Sequence, residues 1–435
     1  MKNGITKHLL FYIVLFFLFS PIVEEYFKPI DVKPLSGAID EISNVKFRIG
    51  PWFNGEYQKQ KEKYLNQHFG FRNICIRANN QLAFNFWKKA KANGVIIGKH
   101  NYLYEENYIK AYYGKDFTGE SKIEDKVNKI KFLQDTLKKL NIDFLIVFAA
   151  GKGSFFPEFI PKKFQSKKSE TNLECYLKHC KNQGINFIDF NSYFINIKNN
   201  SKYPLFPQYG IHWSSYGWCL AADSIIRCIE NFKKIDMPDL IWKQIDFTAQ
   251  PRDDDYDIAA GMNLLFNLPT FKMGYPKLIF ETNPNKIRPN VLTIADSYYW
   301  QMFNAGIPKE IFNNGRFWFY NKQIYPDSYD KPITVSEINL KKEIEKQDVI
   351  MILGTEATLP DFGWGFIESA YKVYTSNFSQ DNAEYEKKIA DFENSIRNTP
   401  EWLSKVNEKA NNNNISLDSM IHLDAIWMVE HENKK

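Results

Sequence analysis

Two segments of the sequence contain residues that could perform nucleophilic catalysis together. Ser297 follows the apolar segment Val291–Ala295, which is typical of a buried strand, so its hydroxyl would lie at the carboxyl end of that strand. His212 lies just before Ser214–Asn231, a predicted helix. The positive end of a helix dipole favours a neutral imidazole, which is the form that a general base requires. The pair predicts a serine nucleophile with a histidine base, provided that the fold brings them together.

These candidates also have structural interpretations. Asp296 or Ser297 could cap the segment after the strand, and His212 could be a hydrogen-bonded structural residue. Lys152, after another strand, could meet an anionic sugar or remain a solvated loop lysine. The acidic run at residues 252–257 lacks the spacing and glycine of a calcium loop, so a solvated or capping loop is favoured over a cation site.

The elements that must position these residues alternate between helix and strand from Lys122 onward. Helices are predicted at Ile123–Leu140, Thr171–Gln183 and Ser214–Asn231, and strands at Asp143–Ala149, Asn186–Phe190, Val291–Ala295 and Val349–Gly354. Continuous apolar strands between helices are typical of a parallel sheet covered on both faces. Functional residues of such sheets lie beyond the carboxyl ends of the strands.

Further elements flank this region. Amphipathic helical spacing runs from Tyr57 to Asn93, and two β-rich segments, Val95–Lys99 and Tyr102–Tyr104, predict a hairpin. From Ser379 to the end the pattern is helical, with breaks near residues 399–400 and 411–414. These last helices could be a lid or a docking surface, but packing against the sheet is the favoured interpretation.

Composition excludes several classes of protein. The chain has 435 residues, of which 44% are hydrophobic and 25% are charged, so it is not a disordered, collagen-like or polytopic membrane protein. Its 56 basic and 51 acidic residues are spread along the chain with a net charge of +5, which argues against nucleic-acid binding. The 16% of aromatic residues could form a sugar-stacking cleft, but a heavily aromatic core is the commoner reason.

The N-terminus predicts a membrane anchor. Lys2 and Lys7 precede the uncharged segment Leu9–Val23, and Glu24 follows it. No small-x-small cleavage site follows this segment, which favours an uncleaved signal anchor over a signal peptide. Basic residues before the span place the N-terminus in the cytoplasm, so the remainder is expected in the periplasm or another extracytoplasmic space, anchored to the inner membrane.

The five cysteines are Cys75, Cys175, Cys180, Cys219 and Cys228. An odd count leaves at least one free thiol, and none of the spacings is typical of a metal site, so no metal is expected. Cys175 and Cys180 could form a local disulfide, although isolated buried thiols are the commoner outcome.

Five blocks in order carry a resemblance to a known family. They are YLNQHFGFRNICIRANNQLAFNFW, VIIGKHNYLYEENYIKAYYG, FLIVFAAGKGSFFPEFIP, GIHWSSYG and LTIADSYYW. Their joint order resembles the AlgJ/AlgX-type alginate O-acetyltransferases, whose catalytic domain is similar to SGNH hydrolases. The resemblance extends from about Trp52 to Val373. As in that family, the histidine precedes the serine, the reverse of ordinary SGNH hydrolases.

The resemblance implies catalytic roles. Ser297 corresponds to the nucleophile and His212 to the general base and acid. The family's aspartate, two residues before the histidine, falls at Gly210, which has no carboxylate. A Ser–His dyad, another orienting acid or a degraded site would each account for this departure. Asp189, at the end of a predicted strand, is a candidate for the missing acid.

Other expectations follow from the same resemblance. Substrate contacts are expected from Lys152, Trp213 and Tyr298. The implied fold is α/β, an SGNH-hydrolase-like (flavodoxin-like) parallel sheet with helices on both faces and a circularly rearranged motif order. The expected segments are a signal anchor at 1–25, a linker at 26–50, the SGNH-like acetyltransferase domain at 51–376 and a C-terminal helical segment at 377–435.

The implied function is extracytoplasmic O-acetylation of an alginate-like exopolysaccharide through a serine acyl-enzyme. No cofactor is expected, because the acetyl group would come from a donor or partner protein. The family implies a membrane-bound O-acyltransferase as that partner. A carbohydrate acetyl esterase, with water as the acceptor, and an inactive polysaccharide-binding scaffold remain the alternatives.

Overall fold

The computed structural model describes residues 2–28, 33–37, 42–313, 315–375, 381–413 and 415–431. Residues 29–32 and 38–41 of the predicted linker, and the predicted start of the C-terminal segment at 377, lie outside this range. The chain forms two compact units. The first comprises Met1–Glu106, Gln208–Ile211 and Tyr256–Phe271, and the second comprises Asn107–Pro207, His212–Asp255 and Lys272–Lys435. The predicted domain boundaries stay a prediction.

Helices and strands are interspersed along most of the chain. The helices, from the N-terminus, are α1 (Lys2–Phe27), α2 (Ile49–Phe53), α3 (Glu56–Gln67), α4 (Arg72–Trp87), α5 (Glu106–Tyr113), α6 (Glu120–Lys139), α7 (Lys152–Phe155), α8 (Asn172–Asn182), α9 (Phe190–Ile197), α10 (Ser215–Lys233), α11 (Asp257–Gly261), α12 (Trp300–Asn304), α13 (Ile307–Glu310), α14 (Leu340–Glu345), α15 (Phe366–Thr375), α16 (Asp381–Asn398), α17 (Pro400–Asn413) and α18 (Leu417–His431). The strands are β1 (Val95–Ile97), β2 (Leu103–Glu105), β3 (Asp143–Ala149), β4 (Phe187–Asp189), β5 (Asp239–Thr248), β6 (Met273–Glu281), β7 (Val291–Ala295), β8 (Phe317–Phe319), β9 (Gln323–Tyr325) and β10 (Val349–Thr355).

The first unit contains the apolar N-terminal helix and the predicted hairpin. Within α1, the 23-residue stretch Ile5–Phe27 has a mean hydropathy of 1.8 and is long and apolar enough to cross a bilayer, as a signal sequence would also be. Strands β1 and β2 pair antiparallel, with Ile96 opposite Tyr104. Helices α3 and α4 occupy the region in which amphipathic spacing predicted one or two helices.

The second unit is built on a six-stranded sheet in the order β4-β3-β10-β7-β8-β9. Its strands run parallel except for β9, which is antiparallel to β8. In the central register, Val349 of β10 pairs with both Asp143 of β3 and Val291 of β7. The carboxyl ends of these three strands therefore meet at one edge of the sheet.

Helices and loops cover both faces of this sheet. Successive side chains of a strand point to opposite faces. Along β10, Ile350 and Ile352 belong to a core cluster with Val127 and Ile130 of α6, while Met351 on the other face is also fully buried. The predicted α/β architecture, a parallel sheet with helices on both faces, is confirmed, with the addition of an antiparallel edge strand.

Two pairs of strands were not predicted. The three-residue strands β8 and β9 are too short to show a periodicity. Strands β5 and β6 form a separate antiparallel pair in which Asp239 pairs with Glu281 and Thr248 with Met273. Many of their side chains are partly exposed, so the continuous apolar run of a buried strand is missing.

The C-terminal helices α16, α17 and α18 pack mainly on one another. They share a small hydrophobic cluster whose fully buried members include Ile396, Val406 and Ile421. This cluster is separate from the core cluster of the sheet, so the favoured interpretation, packing against the sheet, is not what holds these helices together. The predicted break near 399–400 is confirmed, because α16 ends at Asn398 and α17 begins at Pro400. The break predicted at 411–414 falls later: α17 continues to Asn413, residue 414 lies outside the described range, and α18 begins at Leu417.

Truncation of the central strand should destabilise the protein. Ile352→Ala removes a fully buried side chain from β10, and we expect a loss of about 2–5 kcal/mol in the free energy of unfolding. Ile279→Ala, on the exposed side of β6, is the control and should cost less than about 1 kcal/mol. Urea unfolding of the full chain, followed by tryptophan fluorescence, measures both. Equal losses would contradict the assignment of β10 to the core.

Candidate active site

Ser297 lies at the carboxyl end of β7, as its position in the sequence predicts. The strand ends at Ala295, and a short 3₁₀ turn begins at Ser297. Asp296 caps this turn, because its Oδ1 accepts a hydrogen bond of 3.0 Å from the backbone N–H of Tyr298. The turn presents the Ser297 hydroxyl at the sheet edge.

The carboxylate of Asp296 also ties β7 to the end of β10. Its Oδ2 accepts hydrogen bonds from the backbone N–H of Thr355 at 2.8 Å, from the Thr355 hydroxyl at 3.0 Å and from the Thr358 hydroxyl at 2.9 Å. Asp296 is 1% exposed, and this burial raises its pKa, while the hydrogen bonds from Thr355 and Tyr298 act in the opposite direction. Asp296 therefore caps the turn, and the catalytic interpretation of Ser297 stays a prediction.

His212 reaches Ser297 from the segment before α10. Its Nε2 lies 3.0 Å from the Ser297 Oγ, which is hydrogen-bond distance. The next residues hold this segment in place: Ser214 Oγ accepts from the Gly217 N–H at 3.0 Å and donates to the Pro204 carbonyl at 2.7 Å. The structure thus brings together the serine and the histidine that are 85 residues apart in the sequence.

A carboxylate from the acidic run lies on the other side of the imidazole. The Oδ2 of Asp254 is 4.0 Å from the Nδ1 of His212. The His212 side chain is 12% exposed and that of Asp254 is 37% exposed. Asp254 belongs to a 3₁₀ turn, Asp253–Tyr256, that follows β5. The sequence suggested a solvated or capping loop at this position, and no spacing to His212 indicated this contact.

The structure does not bring Asp189 to His212. Asp189 ends β4 and caps α9, where its carboxylate accepts from the Ser192 N–H at 3.1 Å and from the Ser192 hydroxyl at 2.5 Å. Its oxygens are occupied by the helix that follows. The carboxyl edge of a sheet is wide, and the sequence does not show which strands are neighbours. The end of a predicted strand therefore did not determine whether Asp189 lies near His212.

The three predicted substrate contacts lie buried in the structure, and their role in substrate binding stays a prediction. Lys152, Trp213 and Tyr298 are each 0% exposed. Trp213 packs edge-on against Phe190 and Tyr298. The aromatic ring of Tyr298 in turn lies 4.8 Å from the imidazole of His212, between ring centroids. These residues support the site from within the core.

Glu356 is a buried carboxyl group that the sequence analysis missed. It follows β10, and its Oε1 accepts a 2.6 Å hydrogen bond from Ser154, while its Oε2 has no partner among the described residues. Burial, with a smaller effect of the negative charge of Asp189, raises its pKa to about 7. A Cβ at Gly151 would lie 2.1 Å from the Oε2, so a larger residue at that position would require the Glu356 side chain to move.

The pKa of Glu356 predicts a pH effect on stability. A carboxyl whose pKa rises from 4.5 to about 7 on folding keeps its proton longer than in the unfolded chain. Its contribution to stability is therefore complete below about pH 4.5 and is lost as the pH rises from there through about 7. Glu356→Gln removes this effect, so the stability of the variant relative to wild type should rise by roughly 2–3 kcal/mol between about pH 5 and about pH 8.

Urea unfolding at both pH values measures this difference. The control is Glu281→Gln, which removes an exposed carboxylate from β6. It should have little effect on the free energy of unfolding, because its side chain is exposed. A constant difference between Glu356→Gln and wild type would mean that Glu356 is ionised in the folded protein throughout this range.

The cysteines are free thiols in the part of the chain that the structure describes, including the buried Cys175 and Cys180. Cys175 lies near Glu120 and His179, and the potential ligand atoms of these three residues are within 4.8 Å of one another. However, the Glu120 oxygen next to His179, Oε1, accepts a hydrogen bond of 2.6 Å from the Lys178 ammonium. Burial also raises the pKa of the Cys175 thiol to about 11. This group is accounted for as an ion-pair network.

Comparison with known proteins finds a family model that matches part of the chain. Residues 95–254 match the family model of the SGNH hydrolase-like domain of the acetyltransferase AlgX. The resemblance that the sequence blocks indicated is therefore confirmed. The match includes His212 and Asp254 and ends before Ser297. No curated protein matches the chain significantly.

Solved structures of three bacterial proteins are also similar to the chain. One is the O-acetyltransferase domain of AlgJ from Pseudomonas putida, with a TM-score of 0.43, 13% identity, and coverage of 64% of this chain and 99% of that chain. AlgX from Pseudomonas aeruginosa has a TM-score of 0.39, 12% identity and coverage of 61% and 67%. PatB1 from Bacillus cereus has a TM-score of 0.33, 11% identity and coverage of 55% and 91%.

Proposed function

We propose that this protein is an O-acetyltransferase that moves an acetyl group through Ser297 onto hydroxyls of an exopolysaccharide outside the cytoplasm. The observation that carries this proposal is the 3.0 Å contact between His212 Nε2 and Ser297 Oγ at the carboxyl edge of the sheet. A nucleophile and a base at hydrogen-bond distance are the minimum that acyl transfer requires. The match of residues 95–254 to an acetyltransferase family supports the same chemistry.

In the first half-reaction, His212 Nε2 accepts the proton of the Ser297 hydroxyl as the Oγ attacks the acetyl carbonyl of the donor. The resulting tetrahedral intermediate collapses when the bond from the acetyl carbon to the donor breaks. His212 gives its proton to the departing group. The product is an acetyl ester on Ser297, with the imidazole neutral again.

In the second half-reaction, the same imidazole accepts the proton of a sugar hydroxyl. The sugar oxygen attacks the acetyl carbon, the ester bond to Ser297 breaks, and His212 returns the proton to the Ser297 Oγ. Water in place of the sugar would give acetate, which is the reaction of the esterase alternative. The acceptor is therefore decided by which hydroxyl occupies the site.

The backbone at Ser297 supplies a donor for the negative charge that develops on the acetyl oxygen. The N–H of Ser297 has no hydrogen-bond acceptor among the described residues. It begins the 3₁₀ turn, where the first N–H groups have no intrahelical partner. A backbone N–H next to the nucleophile is a common element of an oxyanion hole.

The proposed location and partner follow from the N-terminus and the family. The stretch Ile5–Phe27 has the length and hydropathy of a membrane span, which supports anchoring with the catalytic unit outside the cytoplasm. Since acetyl-CoA is a cytoplasmic donor, a membrane-bound O-acyltransferase would have to deliver the acetyl group. An alginate-like polymer is the proposed acceptor, on the strength of the family resemblance.

Acylation by an activated acetyl ester tests the chemistry. The full wild-type chain should gain one acetyl group by intact mass or turn the ester over, and Ser297→Ala should lose the adduct and at least about 10³-fold in rate. His212→Ala should lose activity to a similar extent, because the two residues act as a unit. The control Ser395→Ala removes a hydroxyl from α16, far along the chain, and should behave as wild type.

The reaction products then distinguish the transferase from the esterase and the scaffold. Addition of oligosaccharide should accelerate turnover and yield acetylated sugar. Unchanged release of acetate would favour the esterase. An adduct that persists in Ser297→Ala, or a folded wild type that binds oligosaccharide without any acyl chemistry, would refute the proposal, and the second result would favour the scaffold.

A further inference from the structure

A Ser–His pair is usually completed by an acid that orients the histidine. In a Ser–His pair, the acid holds the proton on Nδ1, keeps the lone pair of Nε2 towards the nucleophile, and stabilises the imidazolium that forms. The family places this aspartate two residues before the histidine, and in this chain that position is Gly210. A glycine offers no carboxylate, so another element must supply the acid if the site has one.

We propose that Asp254 is the positioning residue for His212, and that the orienting carboxylate has moved from the histidine segment to the loop after β5. The two ring nitrogens of His212 face opposite partners. Nε2 lies 3.0 Å from Ser297 Oγ, and Nδ1 lies 4.0 Å from Asp254 Oδ2. This is the order of groups, serine, imidazole and carboxylate, that a triad requires.

The loop that carries Asp254 is held on both sides. The Arg252 N–H donates to the Tyr275 hydroxyl at 3.1 Å, and the Arg252 guanidinium lies 4.8 Å from the centroid of the Tyr275 ring. Asp255, the residue after Asp254, is 2% exposed. These contacts restrain the backbone on either side of Asp254. Its side chain is therefore held beside His212 before substrate binds, and the loop does not have to be ordered during the reaction.

A further contact ties this loop to the histidine segment itself. The Ser215 hydroxyl donates to Asp253 Oδ2 at 3.4 Å, and Ser215 begins α10, three residues after His212. Asp253 has a φ of +50°, a left-handed conformation that Asp and Asn adopt more readily than other side chains. The acidic run thus divides its roles: Asp253 makes the turn, and Asp254 faces the imidazole.

The separation of 4.0 Å is an ion-pair distance and exceeds that of a hydrogen bond. Catalytic hydrogen bonds are often long without substrate and shorten in the reacting complex. Asp254 is 37% exposed, so solvent weakens its interaction with the imidazolium. We therefore expect a smaller effect than the loss of about 10⁴-fold that removal of a buried triad aspartate causes.

The test compares three variants of the full chain in the acetyl ester assay, and it rests on the proposed function. Asp254→Asn should lower kcat about tenfold to a thousandfold and change KM little, because the residue acts on the base and does not touch the substrate. Asp254→Glu restores the carboxylate and should recover most of kcat. Asp223→Asn is the control: it removes the same charge from a partly exposed side chain of α10 that pairs with Arg227.

The outcomes distinguish this inference from the proposed function. Full activity of Asp254→Asn, with activity still dependent on Ser297, would overturn the role of Asp254 and leave the proposed function standing. Equal losses in Asp254→Asn and Asp223→Asn would also overturn it, because they would show a general effect of removing negative charge. Loss of thermal stability in Asp254→Asn without recovery of kcat in Asp254→Glu would indicate a structural role and overturn it as well.

Discussion

The candidate site depends on the pairing of β7 with β10 and on the buried carboxylate that closes this pairing at its carboxyl end. Asp296 accepts hydrogen bonds from Tyr298, Thr355 and Thr358 at once, so the turn after β7 and the turn after β10 hold one another. Four hydrogen-bond donors offset the cost of burying this carboxylate. Ser297 is the next residue, and its position is a consequence of this junction.

At this edge of the sheet, the side chains that could react are partly exposed, and the side chains that support them are buried. Tyr298 and Trp213 are fully buried and form the wall behind the imidazole, although their residue types suggested sugar contacts. Lys152 is equally buried. The partly exposed groups are Ser297, His212 and Asp254, and His212 lies between the other two. Polar atoms that reach solvent at a strand end are the ones available to a substrate.

Much of the architecture could be predicted because it rests on local patterns. Strands β3 and β7 have the predicted bounds, and α6, α8 and α10 lie within about two or three residues of prediction. The short strands β8 and β9 and the half-exposed pair β5 and β6 could not be predicted in this way. β8 pairs with β7 and β9, and β5 pairs with β6, so these strands are held by their partners and leave no regular apolar spacing of their own.

The sequence by itself determined the chemistry that is available: a serine after a buried strand, a histidine before a helix and a glycine where an acid is expected. Only the tertiary structure decided which groups meet. It placed His212 against Ser297, put Asp254 beside the imidazole and kept Asp189 at its own helix. The physical reason is that helix and strand periodicity is local, whereas hydrogen bonds and ion pairs depend on distances that strand order and loop paths set across the whole chain.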